Sequence, residues 1–127
     1  MTNIYYPVKP KSAPRPRVTR RGTYNDKDYT EWKNGLKLLA KTKFKKPITH
    51  PVSINIEFFF EIPKSWTKKK KAAAKWHTSK PDVDNLCKSV LDALNGIAFK
   101  DDSQVCMIQA KKQYAQQSCV KIEIHET

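Results

Sequence analysis

From Val52 to Ile62 every even position is apolar (Val52, Ile54, Ile56, Phe58, Phe60 and Ile62), while the odd positions between them are mostly polar. Side chains of an extended chain alternate between two faces, so this segment predicts a strand with one face buried and the other half wet. A strand patterned in this way must be covered on its apolar side, and the rest of the chain is read for what covers it. Phe59 falls on the polar side, as an edge contact or as part of a partner surface.

Two segments supply the cover. Between Val83 and Asn95 the apolar residues Val83, Leu86, Val90, Leu91 and Leu94 follow helical spacing. Pro81 and Asp82 suit the helix start, and Gly96, just past the last periodic residue, suits the left-handed position after a helix. From Asp28 to about Lys41, Tyr29, Trp32, Leu36, Leu39 and Ala40 keep the same spacing, which assigns Trp32 to the core. Lys41, Lys43, Lys45 and Lys46 then make a basic exit that Pro47 ends. Lys64 to Lys80 carries an Ala72-Ala73-Ala74 run that favours helix, with Ser65 as a candidate N-cap and Trp66, Ala73 and Trp76 on one face.

Three more strands follow from alternation. Ile4, Tyr6 and Val8 mark a short one, and Val105 to about Tyr114 and Cys119 to Ile124, separated by a short polar turn, are expected to form a hairpin. The expected fold is α+β: one domain over residues 1–127, with a small mixed or antiparallel sheet of about four strands, helices packed on it, and the order β-α-β-α-α-β-β. A chain of 127 residues can hold such a core without staples.

Charge narrows the function. The chain has 25 Lys and Arg against 12 Asp and Glu, a formal net charge of +13, which points to a polyanion, first of all nucleic acid, with an acidic membrane surface as the weaker alternative. The opening residues lack the basic and apolar regions of a secretory signal, and no apolar run approaches a membrane span, so a cytoplasmic protein with no membrane association is expected. Cys87, Cys106 and Cys119 have neither disulfide nor zinc spacing and are read as reduced structural thiols. His77, beside Trp76 in a basic stretch, is read as a solvated loop histidine, with contact to DNA as the alternative. Only 3 glycines are present and none forms a phosphate-cradling loop, which argues against nucleotide-triphosphate chemistry.

The basic residues fall in two groups. Lys9, Lys11, Arg15, Arg17, Arg20 and Arg21 run through a segment broken by Pro10, Pro14 and Pro16, a basic arm or loop. Arginine suits bidentate phosphate contact, which makes Arg15, Arg17, Arg20 and Arg21 candidates for DNA binding and Arg17 one for the scissile phosphate. The second group is the lysine run of Lys68, Lys69, Lys70, Lys71 and Lys75. Such a run is either a solvated face or a helix that tracks phosphates.

Against this background, five of the 12 acids (Asp82, Asp84, Asp92, Asp101 and Asp102) lie between Lys80 and Ser103. In the structural reading Asp82 is an N-cap, Asp84, Lys88 and Asp92 are ion-paired along a helix, and Asp101 and Asp102 form a polar turn. In the functional reading three or four carboxylates converge at one end of the helix. Such a group repels itself unless a cation neutralises it, and oxygen ligands suit magnesium or manganese.

The residues P-D-V-D-N-L-C-K, then L-D-A-L-N-G and K-D-D-S-Q-V, resemble the signature of the RusA family of Holliday junction resolvases. The segments P-R-P-R-V-T-R-R-G and P-K-S-W-T-K-K-K are similar to the family as well, so that most of the chain is covered. The resemblance implies a magnesium-dependent endodeoxyribonuclease, with manganese as the other possible ion, that hydrolyses phosphodiesters in four-way junction DNA. It implies a metal held by Asp82, Asp84 and Asp102, with Asp101 as the alternative ligand, Lys88 as a catalytic cation, and a homodimer that makes paired nicks. Two other readings stay open: a basic nucleic-acid-binding protein without catalysis, and a metal nuclease acting on another branched substrate.

Overall fold

The computed structural model describes residues 1–14, 17–19, 22–24 and 27–127, with backbone alone over 17–19 and 22–24. In chain order the elements are strands β1 (Thr2–Tyr6), β2 (Arg17–Thr19) and β3 (Gly22–Tyr24), helix α1 (Lys27–Lys43), strand β4 (Val52–Glu61), helices α2 (Lys68–Ala73) and α3 (Val83–Leu94), and strands β5 (Val105–Ala115) and β6 (Cys119–Glu126). The order is the expected α+β series, with a short antiparallel β2–β3 ribbon added inside the segment read as an arm or loop.

Four strands form one mixed sheet in the order β1-β6-β4-β5. The alternating strand takes an inner place: β4 pairs antiparallel with β6 on one side and parallel with β5 on the other. Val52, Ile54, Ile56, Phe58 and Phe60 are buried, and with Leu36 and Ala40 of α1 and Leu86, Val90, Ala93 and Leu94 of α3 they form the core. Parallel neighbours need a crossover, and the segment carrying α2 and α3 supplies it between β4 and β5. Tyr6 of β1 packs edge-on to Trp32, with ring centroids 5.4 Å apart, and its hydroxyl donates to the Trp32 carbonyl. Gly35 makes room for it, because a Cβ there would collide with the Tyr6 hydroxyl. Gly96 takes the positive φ of 81° expected after α3.

Two expectations are corrected. β5 and β6 do not form a hairpin; both flank β4, and the connection between them crosses the end of that strand. There the Ser118 hydroxyl accepts the Glu61 N–H and the Ala115 carbonyl accepts the Ile62 N–H. Alternation tells which face a residue takes but not which strand lies beside it, and the most apolar strand gains most from having neighbours on both edges. The helix expected over the alanine run does form and takes in Ala72 and Ala73, but it is short and Ser65 is not its cap. α2 is capped by Thr67, whose hydroxyl accepts the Lys70 N–H, and it ends before Ala74. Trp66 and Trp76 therefore lie outside it on either side. Trp66 packs on Tyr114 of β5, with centroids 5.0 Å apart. Among the described residues no helix is long and apolar enough to cross a membrane.

Candidate active site

Two aspartates flank Val83, the first residue of α3, and both are exposed. The N-cap is Asp82, but the Asp82 side chain makes no capping bond. Asp84 follows in the first turn, exposed, and forms no ion pair with Lys88. Both carboxylates border one open cleft of about 670 Å³, whose other lining includes Trp76, His77, Ala110, Lys111 and Lys112. Lys88 is exposed on α3 one turn after Asp84 and does not line this cleft.

The start of α3 is held from β5. Lys112 Nζ donates to the carbonyls of Ser79 and Pro81, each at 2.6 Å, and so fixes the loop that delivers Asp82. The Lys80–Pro81 bond in this loop is cis. On the other side of the helix start, the Asn85 carbonyl accepts the N–H of buried Ala13. The segment of residues 9–13 is thereby docked on α3, as it is on α1, where the Trp32 indole donates to the Lys9 carbonyl.

The remaining acids of the segment separate into two kinds. Asp92 accepts a hydrogen bond from the Tyr29 hydroxyl at 2.9 Å. Asp101 caps a short 3-10 turn (Asp102–Gln104): its carboxylate accepts the Ser103 N–H, while the Gln104 side chain accepts the Asp101 N–H. These bonds hold the Asp101 carboxyl below the usual carboxylate range, the Ser103 hydrogen bond first. Asp82, Asp84 and Asp102 form no side-chain hydrogen bond or ion pair with any described residue.

Within one chain these three do not meet. Gln104 donates to the carbonyls of Ile48 and His50, which pins the Asp101–Gln104 turn near the start of β4. Asp82 and Asp84 stand at the other end of α3, and a helix of 12 residues is about 18 Å long. Accordingly, among the described residues no group of three or more His, Cys, Asp and Glu side chains is placed to hold one metal ion. The convergence expected from sequence is thus found for Asp82 and Asp84 alone. Two adjacent carboxylates with unshared oxygens are a donor set that fits a hard divalent cation in part, with ligands still to be supplied.

The basic candidates are placed unevenly. Lys68, Lys69, Lys70 and Lys71 lie on α2, with Lys70 Nζ 4.2 Å from the Trp66 ring centroid. Lys75 leaves its ammonium 5.3 Å from the ring centroid of Trp76, which is 53% exposed at the cleft. Arg15, Arg20 and Arg21 lie outside the described residues, and Arg17 is described only as backbone in β2. His77 is not solvated as expected: it stacks on Phe60 with centroids 3.9 Å apart, and burial lowers its pKa. Cys87 is half-buried, and burial followed by the Asp84 charge pushes its thiol up to about 11, which keeps it protonated and inert. No disulfide joins the three cysteines.

Sequence reasoning missed Lys112, Lys111 and Trp76 as parts of this site. The first two sit in a strand whose only visible pattern is alternation. Their value comes from tertiary proximity to α3, which no local spacing encodes.

The family model "Endodeoxyribonuclease RusA" matches residues 7–125. The chain is 41% identical over 85 residues to the uncharacterized protein YqaN of Bacillus subtilis (strain 168), a match that spans 62% of this chain and 60% of YqaN. It is 35% identical over 108 residues to the crossover junction endodeoxyribonuclease rusA of Lactococcus phage r1t, across 84% of this chain and 75% of that protein. The chain belongs to the endodeoxyribonuclease RusA family.

Proposed function

We propose that the protein is a divalent-metal-dependent endodeoxyribonuclease that resolves four-way DNA junctions by paired phosphodiester hydrolysis, as a homodimer, in recombination and repair. The observation that carries this reading is the sorting of the acids. Asp92 and Asp101 are engaged in structural hydrogen bonds, whereas Asp82, Asp84 and Asp102 have no side-chain partner among the described residues, in a chain of net charge +13. In such a chain, acids with no structural partner invite a functional explanation.

Asp82 and Asp84, with Asp102, are the residues that would hold magnesium or manganese. A bound ion of this kind supplies Lewis acidity to the phosphodiester and lowers the pKa of an attacking water. The chain's own residues do the rest. Lys112 fixes the Asp82 loop, Lys111 sets positive charge at the cleft, and Lys88 adds charge one turn along α3. Exposed Trp76 offers a face for an unstacked base at a branch point. The lysines of α2, Lys75, and Arg15, Arg17, Arg20 and Arg21 hold the junction arms through phosphates.

The test is cleavage of synthetic four-way junctions by the purified protein with and without magnesium, beside flap, duplex and RNA substrates. Metal-dependent paired nicks in the junction are expected. Binding without cleavage under any divalent ion would instead make the protein a nucleic-acid-binding module, and preference for a flap would move the substrate to another branched form.

A further inference from the structure

Lys41, Lys43, Lys45 and Lys46 leave the end of α1, and the fold brings Lys100 to them from beyond α3. Phe44 and Ile48 pack inward against the core, which leaves Lys45 and Lys46 exposed between them. The segment is held by its backbone. The Phe44 N–H donates to the Ala40 carbonyl and the Ile48 N–H to the Ala98 carbonyl, while the Ile48 carbonyl accepts both the Lys100 N–H and the side chain of Gln104, 56 residues on. Residues 44–50 and 98–104 thus form one surface, and Lys100 is exposed on it.

Lysines in the last turn of a helix answer the partial negative charge of its carbonyl end, which accounts for Lys41 and Lys43. Lys45, Lys46 and Lys100 lie outside the helix and need another reason. Among the described residues none of the five is in an ion pair. Lys43, Lys45 and Lys46 line a cleft of about 480 Å³, in which Glu126 is the one acid among the described lining residues. Asp101 and Asp102 follow Lys100, and the Asp101 carboxylate already accepts the Ser103 N–H. Lys41, Lys43, Lys45, Lys46 and Lys100 outnumber these acids, so the surface stays positive. It is separate from the lysines of α2: those follow the end of β4, this surface precedes its start, and a strand of 10 residues is about 33 Å long.

We propose that Lys43, Lys45, Lys46 and Lys100 form a second DNA-binding surface, which grips the phosphate backbone of a duplex arm. Cations crowded together without ion-pair partners are suited to displace the counterions of a polyanion. Among the described lining residues of the cleft no aromatic side chain is exposed, so it offers charge to phosphates but no platform to unstacked bases, which favours duplex over single strand. Because hydrogen bonds already fix the backbone of both segments, little conformational freedom is lost on binding.

The proposal rests on the reading of DNA as the substrate, and it is tested by binding alone, without metal or cleavage. In the triple variant Lys45→Gln, Lys46→Gln and Lys100→Gln, the slope of log affinity against log salt for a labelled plain duplex should flatten by about 1 to 3, with circular dichroism unchanged. Lys121→Gln is the control. Lys121 lies over the Phe59 ring and in register with Glu57, on the sheet face away from the core, so its loss should leave the slope as it is. In the unchanged protein, the duplex should shield Lys45, Lys46 and Lys100 from an acetylating reagent, read by mass spectrometry, and leave Lys121 open to it. An unchanged slope in the triple variant, an equal change with Lys121→Gln, or equal acetylation with and without duplex would overturn the surface. Shielding by phosphatidylglycerol vesicles and not by duplex would overturn it too, in favour of a membrane surface. A protein that binds duplex in this way yet cuts no junction loses the nuclease reading and keeps the surface; one that binds no duplex at all loses both.

Discussion

The Tyr29 hydroxyl donates to Asp92 Oδ2 at 2.9 Å and ties α1 to α3. Burial, and then the carboxylate, raise the Tyr29 pKa well above its ordinary value, so this hydroxyl remains a donor through the whole working range of pH. Asp92 is thereby a structural acid, although it belongs to the same acidic segment as the free ones. Tyr29→Phe and Asp92→Asn should each lower stability by about 1–3 kcal/mol, the scale of a hydrogen bond to a charged group. Urea unfolding checks that loss, and junction cleavage at a temperature where the variants stay folded should be unchanged. Loss of cleavage in a fully folded Asp92→Asn protein would move Asp92 into the site.

Neutralising a free carboxylate should do the opposite. Asp82→Asn, Asp84→Asn and Asp102→Asn should each lower cleavage by about 100-fold or more, the scale on which a single preorganised electrostatic contact acts. Junction binding should hold or tighten, because a charge that repels phosphate has gone. Asp101→Asn separates the two adjacent acids: it weakens the cap on the 3-10 turn, so a partial loss of activity is expected. A greater loss at Asp101 than at Asp102 would reverse their roles.

Much of this arrangement could be read from residues alone, and the boundary of what could be read has a physical cause. The Val52–Ile62 alternation, the apolar stripe of α3 and the position of Gly96 are local patterns, and all three appear in the fold. Asp82 and Asp84 were placed together because they are two residues apart. Asp102 was expected beside them because a short loop often turns a chain back on its helix. The loop instead runs on to the start of β5, since β5 must lie parallel to β4 and so begin at the far end of α3. Lys112 was invisible for a similar reason: it acts on Ser79 and Pro81, 33 and 31 residues away, through sheet geometry.

That clamp makes a separate prediction. Lys112→Met keeps the stem that lies along the strand and removes the ammonium that holds two carbonyls. The protein should stay folded, the loop before Asp82 should loosen, and cleavage should fall by about 10-fold, the lower range for a residue that positions a metal ligand. Raised magnesium should recover part of the loss, which would not happen if Lys112 contacted only DNA. Cleavage against magnesium concentration is the measurement, and an unchanged metal midpoint would refute the clamp.

The lysines of α2 are tested by salt. Each phosphate neutralised on duplex DNA contributes about −0.9 to the slope of log affinity against log salt. Lys68, Lys69, Lys70 and Lys71 occupy a short exposed helix whose N-cap is Thr67, so replacing all four with Gln should leave the fold intact and flatten the slope by about 1 to 3. Fluorescence anisotropy of a labelled junction from low to moderate salt reads it directly. An unchanged slope would make α2 a solvated face.

The last prediction concerns His77. Its ring lies flat on Phe60, near Tyr114, with Nδ1 shielded from solvent and without a partner among the described residues. Burial lowers its pKa from 6.5, and the charges of Lys112 and Lys9 act in the same direction. The folded state therefore favours the neutral ring, and the unfolded chain takes up the proton first as pH falls. This contribution to stability is complete above about pH 6.5 and declines as pH drops from there toward the folded value. His77→Phe keeps the stacking surface and the backbone N–H to Lys112, and it removes both the titration and the orphaned nitrogen. Urea midpoints of the two proteins should be close at pH 7.5, with the variant equal or slightly higher, and its advantage should widen at pH 5.5. Curves that stay parallel between these pH values would show that His77 titrates alike in the folded and unfolded chains.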